Sequence, residues 1–361
     1  MEGVYKKIWR QRTKSNKINK LFVYVTSSCN LRCSYCFYSS YKKKKSISFE
    51  AFKRAFKKFL DISENPEVIF IGGEPLIEKE KVVKMMRYAV KSARISIFTN
   101  ATLIDRTVAD FIKQNNINLI VSIDGDLKTN DRNRRFIGFK SSVYKRVLSV
   151  LEKYNLKDYT SVNMVITPKT INSLSNNIKH LYEIGFKSIG ISFDYSSNWC
   201  QKSILILKKE LKKVFIDYLK MIKEHNAYRF ANMYEVFYKI KNKKIPPCSN
   251  LILFPDGNFY LCDKIISMNE NERNLFKIKK NIIREREIFF DFMNKNEISS
   301  SQGFCQIGIY LYLKYIKKLN DDIVKLRLLE KSKLQSEIEE ILTNYFTKLL
   351  KFKYFTELHR V

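Results

Sequence analysis

Between residues 21 and 195, six short apolar runs alternate with helix-like segments, and this alternation constrains the fold more than anything else in the 361 residues. The runs are LFVYVT (21–26), VIFIGG (68–73), ISIFTN (95–100), INLIVSIDG (117–125), SVNMVITP (161–168) and SIGISFDY (188–195). Each is short, β-branched and bounded by turn residues, as buried strands are. The segments between them carry helical periodicity. In residues 48–62, Phe49, Phe52, Phe56 and Phe59 fall on one stripe behind Ser48, a predicted N-cap. Repeated strand-to-helix steps predict parallel strands joined by right-handed crossovers, in an α/β sheet that curls into a partial barrel. Ligands of such sheets collect beyond the carboxyl ends of the strands.

Polar and glycine residues fall in register on that predicted rim. Cys29, Gly72–Gly73–Glu74, Thr99–Asn100, Asp124–Gly125 and Asp194 each stand just past a strand. One or two would be ordinary turn residues; five on one rim predict a site. The sequence CNLRCSYC sets Cys29, Cys33 and Cys36 directly after the first strand. Three thiolates on one loop can hold three corners of a four-iron cluster and leave the fourth iron open. A zinc site needs a fourth ligand from afar, and the chain has only three histidines.

The CxxxCxxC loop, with aromatic Tyr35 before its last cysteine, resembles the radical S-adenosylmethionine (SAM) superfamily. Gly72–Gly73–Glu74–Pro75 resembles that family's GGEP motif, and the segments around Asn100 and from Val121 to Gly125 resemble its later rim segments. Asn130–Asp131–Arg132–Asn133–Arg134 resembles an HDxxR pattern in which Asn130 replaces His. The resemblance implies a partial (β/α)6 barrel of radical SAM type over residues 21–200. It implies a [4Fe-4S] cluster on Cys29, Cys33 and Cys36, whose open iron is chelated by SAM. An electron then cleaves SAM to methionine and a 5′-deoxyadenosyl radical that abstracts a substrate hydrogen. It further implies that Gly72, Gly73, Glu74 and Pro75 receive the methionine ammonium, that Ser122 or Asp124 bonds the ribose, and that Arg134 meets the carboxylate. Asn100, with Asn163 and Phe193 as weaker candidates, also joins the cofactor contacts.

After residue 200 the alternation stops. Basic helices are expected at 203–243, a β-hairpin at 251–262 turning on Pro255, Asp256 and Gly257, and a charged helical tail at 306–361. Cys248 and Cys262 around this hairpin are similar to the opening of SPASM and twitch extensions, which hold auxiliary clusters. The later cysteine series of a complete SPASM domain is absent, and only Cys305 follows. One auxiliary [4Fe-4S] cluster on Cys248, Cys262 and Cys305 is the preferred reading, its fourth corner being Cys200, another ligand or substrate. Buried free cysteines and a zinc site are the alternatives. By the same resemblance Asp263 is a candidate catalytic base, or else a carboxylate capping the hairpin. Cys200 is a candidate hydrogen-atom donor, a cluster ligand or an inert thiol. The organisation expected is an extension over 1–20, the barrel over 21–200 and the auxiliary region over 201–361.

The net charge of +31 raises three classes of partner: nucleic acid, an acidic membrane surface and an acidic peptide. The lysines are spread along the chain and their longest run is Lys42 to Lys45, a distribution that suits solvated helix faces better than a nucleic-acid tract. No apolar run is long enough to span a bilayer and no signal peptide is read, so a cytoplasmic protein is expected. Seven cysteines in such a chain point to metal or redox chemistry. The leading expectation is maturation of a ribosomally made peptide by thioether formation, carbon–carbon linkage or epimerisation. Partners are then a peptide or protein with an acidic leader and an electron donor of flavodoxin or ferredoxin type. About twenty residues precede the first strand, so no separate N-terminal peptide-recognition domain is expected. Formylglycine formation on a sulfatase shares Asp263, a twitch-type small-molecule dehydrogenase is third, and a non-catalytic metal- or RNA-binding protein is the reading from another class.

Overall fold

The computed structural model describes residues 18–36, 38, 44–194, 197–231, 240, 249–260, 273–274, 277–279, 281–284, 337 and 340–359. The six expected strands form: β1 (Lys20–Tyr24), β2 (Glu67–Ile71), β3 (Arg94–Thr99), β4 (Asn118–Ser122), β5 (Thr160–Ile166) and β6 (Ser188–Phe193). All five neighbouring pairs among them are parallel. Helices α1 (Phe49–Leu60), α2 (Lys79–Ala89), α3 (Arg106–Gln114), α4 (Leu127–Asn133), α5 (Val143–Lys153) and α6 (Leu174–Glu183) lie between them, and α7 (Gln201–Lys223) follows. The Ser48 side chain accepts from Ala51 N at the start of α1, and Phe52, Phe56 and Phe59 enter the core as the periodicity predicts.

One face of the sheet packs under these helices. Phe70 of β2 meets Phe52 of α1 at 5.6 Å between ring centroids, and Leu119, Val121, Val162 and Ile189 continue that buried face through the strand register. The opposite face is half-buried and more polar. It carries Ser122 of β4 opposite Asn163 of β5, and Ser192 of β6 donates to Asn163 Oδ1 at 3.0 Å.

The sheet has nine strands in the order β7-β6-β5-β4-β3-β2-β1-β8-β9, and it does not close. The expected hairpin forms from two of the extra strands, and it joins the sheet. β8 (Asn250–Leu253) pairs in parallel with β1, from Lys20↔Asn250 to Val23↔Leu253, and β9 (Phe259–Tyr260) turns back antiparallel on β8. An edge strand leaves unpaired N–H and C=O groups, and β8 covers those of β1. The turn is the one expected: Gly257 takes φ +77°, and the Asp256 carboxylate accepts from Asn258 N and Tyr260 Oη. At the other edge a two-residue strand, β7 (Arg229–Phe230), extends β6; the sequence reading placed only helix there.

The C-terminal residues pack on α7 and β7. Tyr345 stacks on Phe215 at 4.4 Å, and α8 (Lys353–His359) brings Phe355 into the core. His359 is fixed from both sides, its Nε2 accepting from Phe230 N at 3.0 Å while Nδ1 lies 3.0 Å from the Phe355 carbonyl. None of the described helices is long and apolar enough to cross a membrane.

Candidate active site

Residues Thr26 to Cys36 leave β1 at the carboxyl edge of the sheet, and four separate contacts hold them there. The first is made by the two glycines after β2. Gly73 N donates to Thr26 O and Glu74 N to Ser28 O, both at 2.8 Å. A Cβ on Gly72 would stand 2.6 Å from Thr26 O, and one on Gly73 would stand 2.2 Å from Ser28 O. Both are backbone atoms that cannot rotate away, so the glycines are required for the β2 loop to lie against the chain entering Cys29.

The second contact comes from β3. Asn100 Nδ2 donates to Asn30 Oδ1 at 2.8 Å, and Asn30 Nδ2 donates to Thr102 Oγ1 at 2.9 Å. Ala101 between them takes φ +59°, a left-handed turn that an alanine adopts only under constraint. Asn100 is therefore bonded to the cysteine loop itself. The third contact is a short antiparallel ribbon. Arg32 N donates to Arg135 O at 2.7 Å, Ser34 N to Asn133 O at 2.8 Å and Ile137 N to Asn30 O at 3.0 Å, with Leu31 bridged to Phe136. Residues 133–137 thus run beside the cysteine loop, a pairing between distant segments that no local pattern announces.

Asp124 is the fourth. Its side chain is wholly buried and accepts from Tyr35 Oη at 2.6 Å, Arg134 Nη2 at 2.9 Å, Val165 N at 3.0 Å and Asn133 Nδ2 at 3.2 Å. Arg134 lies over the Tyr35 ring at 5.4 Å and is the cation beside Cys33. Its Nε is buried and has no hydrogen-bond partner among the described residues. Asn130, where the family pattern has His, accepts from Asp124 N at 3.1 Å and so fixes the turn that presents the carboxylate.

Glu74 ties the second and third strand ends together. Oε1 accepts from Thr99 Oγ1 at 2.7 Å and Leu76 N at 3.0 Å, and Oε2 accepts from Asn100 N at 2.7 Å. Burial raises its pKa to about 7 against these hydrogen bonds, which act to lower it. Pro75 is buried beside it. Ser122 sits half-buried on the inner face at the end of β4.

The three thiols lie on one loop, each partly buried. Burial pushes Cys29 up to about 12 and Cys33 up to about 11, with Arg134 opposing the rise at Cys33. Without a cation these groups stay protonated; iron would ionise them. No three His, Cys, Asp or Glu side chains among the described residues gather as ligands of one ion. Thiolates that each take a different iron of a cluster are spaced more widely than the ligands of a single zinc. The donor set of three cysteines on one loop and the buried guanidinium beside Cys33 fit a three-cysteine iron–sulfur cluster.

Cys200 is exposed at the N-cap of α7, past β6. Hydrogen bonding from Ser203 holds its pKa below the usual thiol range. Phe193 packs edge-on against Trp199 at 6.2 Å, whose Nε1 donates to Asp194 O at 2.8 Å. Cys248, Cys262, Asp263 and Cys305 lie outside the described residues. Sequence reading placed Thr99 on the rim but gave no role to Asn30 and Asn133, although both stand inside the quoted motifs.

An open, mostly parallel sheet with a cysteine triplet clamped at its carboxyl rim defines a radical SAM fold, and the chain belongs to the radical SAM superfamily, whose family model matches residues 23–181. The protein MJ0907 of Methanocaldococcus jannaschii, itself uncharacterised, is 30% identical over 279 residues, which cover 72% of this chain and 91% of that protein. A cysteine-type anaerobic sulfatase-maturating enzyme of Clostridium perfringens is 28% identical over 179 residues, 45% of this chain. That match spans about half of the relative's length, 48%. Among solved structures, anSMEcpe with bound AdoMet and the Kp18Cys peptide superposes with a TM-score of 0.66 at 20% identity, covering 91% of this chain and 99% of that one. Streptococcus suis SuiB bound to its precursor peptide SuiA gives 0.56 at 13% identity, covering 76% of this chain and 66% of SuiB. At these identities the two structures share the fold.

Proposed function

We propose that this radical SAM enzyme abstracts hydrogen from a peptide, in the maturation of a ribosomally made precursor. The observation that carries the reading is the clamped cysteine loop, which is held by the Gly72–Gly73 turn, Asn100, the 133–137 ribbon and Asp124. Such preorganisation is what a reactive centre needs, because groups already in place cost no rearrangement at the moment of reaction. The cluster, with SAM on its open iron, would supply a 5′-deoxyadenosyl radical.

The chain's own residues do the rest. Cys29, Cys33 and Cys36 hold the cluster. The Gly72 and Gly73 carbonyls and Glu74 Oε2, which accepts one hydrogen bond where Oε1 accepts two, receive the ammonium of SAM. Arg134 Nε, buried without a partner among the described residues, points to a carboxylate ligand. Ser122, beside Asn163 and Ser192 on the inner face, suits the ribose hydroxyls. Asp124 is already saturated, so it serves by fixing Tyr35 and Arg134 rather than by meeting the ribose.

The peptide substrate is supported by neighbours of the same fold whose structures contain peptides. One auxiliary cluster on Cys248, Cys262 and Cys305 belongs to this proposal, and the hairpin that separates the first two in sequence is formed by β8 and β9. Asp263 as proton acceptor and Cys200 as hydrogen-atom donor complete it. The relatives that mature sulfatases favour a second reading, formylglycine formation on a protein substrate. Candidate precursor peptides and a sulfatase-derived peptide, each deuterated at Cα and at the side chains, separate the two. Deuterium should appear in 5′-deoxyadenosine with the precursor; transfer only from the sulfatase peptide would replace the first reading by the second, and transfer from neither would remove the peptide class.

A further inference from the structure

Beyond α4 the chain makes a protruding turn. Ile137 is 47% exposed and Phe139 59% exposed, although Phe139 stacks on Phe136 at 4.5 Å. Gly138, at φ +89° with nothing within 4 Å of where a Cβ would stand, folds the two rings together. Around this apolar knob stand Arg32, Arg132, Arg135 and Lys140, all exposed and none in an ion pair among the described residues. The nearby carboxylate, Asp131, is taken up by Tyr144 N and Asn130 Nδ2. Exposed apolar surface rimmed by charge of one sign marks an interaction site for a partner of the opposite sign.

The same turn is bonded to the cysteine loop. Arg135 O accepts from Arg32 N, next in sequence to Cys33, and Ile137 N donates to Asn30 O, next to Cys29. Phe136 is bridged to Leu31. Electron tunnelling falls steeply with distance, so a protein that reduces the cluster must dock where its ligand loop comes closest to the surface. A protruding knob fits a folded protein. An extended peptide takes a groove or a strand edge.

We infer that the turn from Arg135 to Lys140, with Arg32 and Arg132, is the docking surface for an acidic one-electron carrier protein. The carrier gives one electron to the cluster and is itself oxidised by one electron; no proton or group moves. The inference rests on the reading of the site as a SAM-cleaving cluster centre. Acidic charge on the carrier and basic charge here set the encounter rate, and the stacked rings set the bound register.

The test uses the reconstituted holoprotein and a reduced flavodoxin of acidic surface, following the loss of cluster absorbance in stopped flow. A Phe139→Glu/Arg135→Glu/Lys140→Glu variant should be reduced at least about tenfold more slowly by flavodoxin, with the salt dependence of the wild type lost. Its reduction by dithionite should be unchanged. Arg135→Glu/Lys140→Glu keeps the rings and should still be slowed by about threefold or more, which preserves the test if the triple variant does not fold. Leu205→Glu/Ile216→Glu, equally exposed but on α7, should match the wild type. Equal flavodoxin rates for the charge variant and wild type would overturn the inference. So would an equal slowing by dithionite, or loss of precursor-peptide binding with flavodoxin reduction intact. Absence of a dithionite-bleachable cluster in the wild type would instead defeat the reading of the site.

Discussion

Asp124 accepts from Tyr35, Asn133, Arg134 and Val165, four groups on three different parts of the chain. A carboxylate buried without them would be expelled as its neutral form; with them it holds Arg134 beside Cys33. Asp124→Asn leaves a buried guanidinium without its counter-charge, and the expected loss is about 3 kcal/mol of stability. Urea unfolding measures it, and a change below about 1 kcal/mol would show that the pair does not hold the rim. Glu74 gives a second prediction. Its pKa of about 7 means that it is charged above neutrality and protonated below it. The proposed bond to the SAM ammonium needs the charged form. SAM affinity of the holoprotein should therefore weaken by up to about tenfold from pH 7 to pH 6 and level off above pH 8. Titration calorimetry reads this, and the dependence should vanish in Glu74→Gln; a wild-type affinity flat across that range would contradict it.

Among the elements, the six βα strands and the phenylalanine stripe of α1 were legible because their periodicity is local. The parallel pairing of β8 with β1, the strand β7 and the 133–137 ribbon were not. Each depends on which distant segment meets an open edge, and two residues of strand leave no pattern. The same holds for His359, whose place against Phe230 is a contact across 129 positions. Burial lowers its pKa to about 4, and the Arg229 charge acts in the same direction. A histidine with a depressed native pKa adds stability that is present above its unfolded value of 6.5 and is lost as pH falls toward 4. Glu74 runs the opposite way, with a raised native pKa whose cost grows from pH 4.5 to about 7. The two offset each other in the wild-type profile. The difference between wild type and His359→Gln isolates the histidine, and its advantage at pH 7 should shrink by no more than about 3 kcal/mol on going to pH 4.5. A difference independent of pH would show that the ring titrates in the native state as it does in the unfolded chain.

For the whole molecule, the motif residues lie together on the carboxyl rim, and several of them also make contacts within the protein that the motifs do not announce. Gly72 and Gly73 were read as openings for a cofactor, and their missing side chains first admit the chain's own backbone at Thr26 and Ser28. Asn100 and Asp124 were read as cofactor contacts and are bonded to the cysteine loop and its supports. Motif spacing shows that residues share a rim; it does not show whether a side chain points to the ligand or to the loop that holds it. That distinction needs three-dimensional contacts, and here they show that Gly72, Gly73, Asn100 and Asp124 also form a scaffold around the cysteine loop. The central claim is that this scaffold binds a cluster able to cleave SAM. Anaerobically reconstituted protein, reduced with dithionite and given SAM, should release 5′-deoxyadenosine and methionine, and Cys29→Ala/Cys33→Ala/Cys36→Ala should release none. Wild-type protein that carries a reduced cluster and still yields no 5′-deoxyadenosine, with or without peptide, would contradict it.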